Sequence, residues 1–121
     1  MSTLQTKYEI IYLTSLYLEP GSGQSQTDKC CIFTPTVLEL LILGLMEEDR
    51  VGELNLLAVR TLRKFFNAAI YFFGGSLDNP VSQAFEFLGG LDAMEKLQYH
   101  SSHKVYISAL NFLERFFEAL N

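Results

Sequence analysis

The sequence predicts an all-α fold in which helices stack in layers, each layer running short, short, long. Three observations predict it. Apolar residues recur at helical spacing through most of the chain, cap and stop signals divide that pattern into six segments, and the short-short-long order occurs twice. No alternating apolar–polar run argues for a strand.

Residues 4–18 carry Leu4, Tyr8, Ile11, Tyr12 and Leu16 near helical spacing, and Pro20-Gly21 stops that segment. Residues 19–34 are expected to form a flexible loop, polar and rich in glycine and serine over 19–29. Thr34-Pro35 is a cap followed by a first-turn proline, opening a helix over 35–46. Glu47-Glu48-Asp49 closes it as a solvated acidic turn. A long helix follows over about 51–73 and ends at Gly74-Gly75. Asn79-Pro80 opens a helix over 80–88. The asparagine side chain can accept from the free amides of the first turn, where proline lacks a donor that no partner needs. Gly89-Gly90 separates it from a helix over 91–99, since glycine enters left-handed backbone without a Cβ penalty. Ser101-Ser102 is read as the cap of the last helix, 102–119.

This divides the chain into a capping helix at 1–18, a loop at 19–34, and three-helix repeats at 35–75 and 76–121. An internal correspondence pairs Val37-Leu38-Glu39-Leu40-Leu41 with Leu91-Asp92-Ala93-Met94-Glu95, and Ala58–Leu62 with Ala109–Leu113. A stacked unit cannot bury both its faces, and about three units are usually needed for stability. The helix over 4–18 is therefore expected either to cover the open end of its own stack or to mediate self-association.

One domain fits 121 residues, and 49% apolar residues, with ten Phe and six Tyr, supply ample core. A net charge of −5 argues against nucleic acid or an anionic membrane as a partner over the whole surface. No apolar run approaches the roughly 20 residues that span a bilayer, because Arg60, Arg63 and Lys64 interrupt the longest. The residues Met1-Ser2-Thr3-Leu4-Gln5 lack signal-peptide features, so an intracellular protein with reduced thiols is expected.

The two long helices carry thin polar stripes on apolar bodies. The first stripe is Glu53, Arg60, Lys64 and Asn67, at offsets that keep them on one face. The second is Lys104, Ser108, Asn111, Arg115 and Glu118. A helix with so narrow a stripe is sandwiched between neighbours and open along one edge. Laid side by side, the stripes form a small basic groove: Arg60, Lys64, Asn67, Lys104, Asn111 and Arg115 are the candidate protein-binding residues. Such a groove suits an acidic or carbonyl-rich extended segment.

The short-short-long layout is that of an armadillo repeat, giving a right-handed α-solenoid fragment of about two three-helix repeats plus an N-terminal helix. The string Gly89-Gly90-Leu91-Asp92-Ala93-Met94-Glu95-Lys96-Leu97-Gln98 resembles the last armadillo repeat of the importin-α (karyopherin-α) family of nuclear-import adaptors. Cys31-Ile32-Phe33-Thr34-Pro35 with Leu38-Glu39-Leu40-Leu41 resembles the start of the penultimate repeat. The resemblance implies a non-enzymatic protein-interaction module of cytoplasm and nucleus. Its partners would be a nuclear export receptor or a nucleoporin segment.

In that family, long helices of the central repeats hold a nuclear-localisation peptide with a Trp and, four residues on, an Asn. The equivalent positions here are Arg60 and Lys64 in one repeat, Asn111 and Arg115 in the other, and the chain has no Trp. A basic groove repels basic cargo, so that role does not carry over. The alternative expectation is a structural oligomerisation domain, a homodimer joined through apolar helix faces.

Other residues point to little chemistry. Cys30 and Cys31 are adjacent, and neighbours rarely bridge each other or share one tetrahedral zinc. His100 and His103 are read as a surface cap to the last helix. Neither glycine pair is followed by the Lys-Ser/Thr of a phosphate loop. No cofactor, metal or catalytic residue is expected.

Overall fold

The computed structural model describes residues 4–18 and 35–117. The expected loop at 19–34, the Thr34 cap, Cys30, Cys31 and Glu118 lie outside the described residues. Within them there are six α-helices and no strand. They are α1 (Leu4–Tyr17), α2 (Pro35–Met46), α3 (Glu53–Phe72), α4 (Pro80–Phe87), α5 (Gly90–Lys96) and α6 (His103–Phe116). A single 3₁₀ turn, Leu97–Tyr99, continues α5. Among the described residues no helix is long and apolar enough to cross a membrane.

The helices are ordered as a stack. α2 and α3 pack on each other, α4, α5 and α6 form the next layer, and the layers meet through α3 against α6 and α2 against α5. α1 packs on the other side of α3 and also touches α2. The long helices run in the order α1, α3, α6.

Periodicity explains which faces are buried. On α6 the buried residues are Val105, Ala109, Phe112, Leu113 and Phe116, one stripe at three- and four-residue steps. Between Leu54 and Ala69 α3 is buried around most of its circumference, leaving Arg60, Arg63 and Asn67 exposed there. That is the signature of a helix held between two neighbours. Phe66 is the hub between layers: its ring meets Phe85 of α4 at 5.1 Å and Phe112 and Phe116 of α6 at 5.0 and 5.1 Å. Edge-on aromatic pairs of this kind contribute roughly 0.5–1.5 kcal/mol each beyond their buried area.

α1 covers the end of the stack with one face. Ile11, Ser15 and Leu18 are buried, and Gly44 of α2 leaves room for this contact: a Cβ there would stand 2.7 Å from the Ile11 Cδ1. Lys7 pairs with Glu47 at 2.7 Å. Away from these buried positions α1 exposes Ile10, Tyr12, Leu13 and Leu16.

The start of α4 forms as its sequence requires. The Asn79 Oδ1 accepts from the amides of Val81 and Ser82, and the Ser82 Oγ accepts from the Asn79 amide, a reciprocal box at a buried corner. The two glycines after α4 serve different needs. Gly89 has φ +86 with open space around it, whereas a Cβ on Gly90 would fall 2.4 Å from the Phe85 ring. One is there for backbone freedom, the other for room.

Several expectations need correction. α3 begins at Glu53, two residues late, because Gly52 at its cap position has φ +87 and a Cβ there would meet Val105 at 2.6 Å. The acidic turn is more than solvated: Asp49 Oδ2 accepts from the Leu54 amide at 2.7 Å, placing an anion at the start of α3, while Glu47 holds Lys7. Ser102 stands at the cap position of α6, but its side chain makes no capping bond. His100 is no surface cap. It is half-buried, its Nδ1 accepts from the Ser102 amide, and its Nε2 therefore carries the proton donated to the Asp49 carbonyl at 2.6 Å. This bond ties the turn before α6 to the turn before α3.

Candidate functional site

The site is built on the exposed seam of α3. A helix packed on α1 along one side and α6 along the other can show solvent only a narrow strip. On α3 that strip carries Arg60, Arg63 and Asn67, with Lys64 half-buried beside them. The long side chains of such residues can lay their apolar stems on the flanking helices and keep their charges outward.

Side-chain contacts join this strip to its neighbours on both sides. The Asn67 Oδ1 accepts from Arg115 Nη2 of α6 at 3.0 Å. The Lys64 Nζ donates to Ser15 Oγ of α1 at 2.9 Å. The Arg115 guanidinium also lies 5.2 Å from the centre of the adjacent Phe116 ring, within cation–π range. The seams of α3 and α6 therefore adjoin at their C-terminal halves, and α1 forms a second wall.

Between α1 and α3 lies an open cleft of about 570 Å³. Arg60, Arg63, Lys64 and Asn67 line it from α3, and Tyr12, Ser15 and Leu16 from α1. Among the described residues its lining carries three basic side chains and no carboxylate, on a chain of net charge −5. Such a concave, singly signed surface attracts negative charge and discriminates against cations.

Of the six residues predicted from sequence, the structure gathers Arg60, Lys64 and Asn67 around this cleft and brings Arg115 to it through Asn67. Lys104 and Asn111 are exposed on α6 but do not line it. Sequence reasoning missed Arg63, which is exposed and faces the cleft. Its offset of three from Arg60 places it on the same face, so helical spacing alone could have found it. Tyr12, Ser15 and Leu16 belong to the helix that the sequence assigns either to covering the stack or to self-association.

Residues 79–120 match the family model of the atypical Arm repeat. The match spans α4, α5 and α6, the second layer of the stack. That layer is similar to an Arm repeat, and the fold as a whole is all-α and armadillo-like. No curated protein matches the chain. Repeats of this architecture present extended concave surfaces to protein partners, which fits a protein-interaction module.

Proposed function

We propose that this chain is a non-enzymatic protein-interaction module that holds an acidic, extended segment of a partner in the cleft between α1 and α3. The segment continues over the Asn67–Arg115 junction toward α6. The observation that carries this reading is the lining itself, which among the described residues holds three cations and no carboxylate on an otherwise acidic chain. Carboxylates of the segment pair with Arg60 and Arg63, and its backbone carbonyls accept from Lys64 and Arg115. The likeness of Gly89–Gln98 to the last importin-α repeat favours a partner from nuclear transport, a nuclear export receptor or a nucleoporin segment, met in cytoplasm and nucleus. Basic localisation signals are disfavoured by the charge of the cleft.

A second reading rests on a separate observation. Ile10, Tyr12, Leu13 and Leu16 expose 39%, 48%, 64% and 47% of their surface on α1, with Tyr12 and Leu16 at the cleft edge. Apolar residues grouped in this way mark an interaction surface, here for a second copy of the chain in a homodimer.

Affinity purification from nuclear and cytoplasmic extracts, with light scattering of the purified chain, separates the two. A monomer that retains acidic nuclear-transport proteins, and loses them with Arg60→Glu and Arg63→Glu, supports the first. An obligate dimer whose partners are unaffected by those changes overturns it.

A further inference from the structure

A second cavity lies away from the basic cleft, at the edge of the stack where the end of α2 meets α5. It encloses about 490 Å³. Asn55 of α3 lines it and is only 1% exposed. The Asn55 Nδ2 donates to the carbonyls of Gly44, Leu45 and Glu47 at 2.9, 3.3 and 3.1 Å. These are carbonyls that a helix end leaves without partners, so the amide stitches α3 to α2. Three acceptors around one atom also fix it as the nitrogen. The Asn55 Oδ1 is buried and, among the described residues, receives no hydrogen bond. An acceptor in that condition calls for a donor from outside the fold.

The surroundings define the donor. Glu48 and Asp92 are exposed at the cavity rim together with Lys96, two carboxylates against one ammonium, while Glu47 is committed to Lys7 and Asp49 to the Leu54 amide. His100 also lines the cavity, but both its ring nitrogens are taken by backbone. Leu45, Ala93 and Leu97 supply an apolar wall. Among the described residues, no three His, Cys, Asp or Glu side chains converge as metal ligands. The fitting ligand is then an organic cation with several donors and an apolar stem.

We propose that this cavity receives an arginine side chain of a partner protein. Its guanidinium donates to Asn55 Oδ1 and to the carboxylates of Glu48 and Asp92, and its methylenes lie on the Leu45–Ala93–Leu97 wall. The planar fork of five donors serves three acceptors at once, which a lysine ammonium does less well. This site is independent of the basic cleft and stands or falls separately.

The test is an NMR titration of the ¹⁵N-labelled chain with N-acetyl-arginine methylamide, its neutral citrulline isostere and the lysine analogue. The arginine probe should give saturable shifts at the Asn55 side-chain amide and at Ala93 and Leu97. The citrulline probe should bind about tenfold more weakly, and the Glu48→Gln/Asp92→Asn pair should lower arginine affinity by a similar factor. Asn55→Ala removes the stitch to α2 and with it part of the fold's stability, so the rim pair carries the test. Equal shifts with citrulline, unchanged affinity in the rim variant, or no shift with any probe would overturn the proposal. Tighter binding of the lysine probe would overturn its guanidinium assignment.

Discussion

Gly90→Ala tests the junction between the layers most severely. Its new Cβ would lie 2.4, 2.5 and 2.7 Å from three carbons of the Phe85 ring. That ring cannot step aside, being fully buried against Phe66, Phe112 and Phe117. Overpacking of a filled core costs roughly 1–3 kcal/mol. The better helix propensity of alanine at the first position of α5 returns less than about 1 kcal/mol. The net loss is about 1–2 kcal/mol, or roughly 4–8 °C in Tm for a chain of this size. Gly89→Ala is the matched control, with no steric neighbour but φ +86, and should cost about 1 kcal/mol through the backbone alone. Thermal melts followed by circular dichroism read both. Phe85→Leu in the Gly90→Ala background should recover part of the loss, a coupling of about 0.5 kcal/mol or more. A Gly90→Ala variant as stable as the parent, with no coupling to residue 85, would refute the packing that holds α4, α5 and α6 together.

Other expected outcomes follow from single contacts. Asn79→Ala removes both amide caps of α4 at a buried corner and should cost about 1–2 kcal/mol, measured by urea denaturation. Deleting residues 1–18 uncovers the face that Ile11, Ser15 and Leu18 bury and should abolish a cooperative melt; a truncated chain that melts as sharply as the intact one would show that α1 is no part of the core. A double-mutant cycle on Asn67 and Arg115 should give a coupling of a few tenths of a kcal/mol, because both side chains are exposed.

Much of this architecture is written in local signals. Asn79-Pro80, Gly74-Gly75 and Gly89 set helix boundaries through cap chemistry and positive φ, which depend only on neighbouring residues. The stripe of Arg60, Lys64 and Asn67 follows from the pitch of a helix. What could not be read are contacts that close over long separations. His100 reaches the carbonyl of Asp49, and Gly52 is a glycine because Val105 passes over it; nothing adjacent in sequence signals either. Asn55 left a trace: a polar residue off the stripe on an apolar helix must either find buried partners or strain the packing. The cleft was half legible, since its α3 wall follows from spacing while its α1 wall depends on how the first helix docks.

The most direct measurement is fluorescence anisotropy with a labelled, glycine-spaced glutamate peptide, at low and at physiological salt. The account predicts saturable binding that weakens with salt and is lost in the Arg60→Glu/Arg63→Glu variant, whose Tm stays within a degree or two of the parent. Absence of saturable binding at low salt, or equal affinity in the charge-reversed chain, would contradict it.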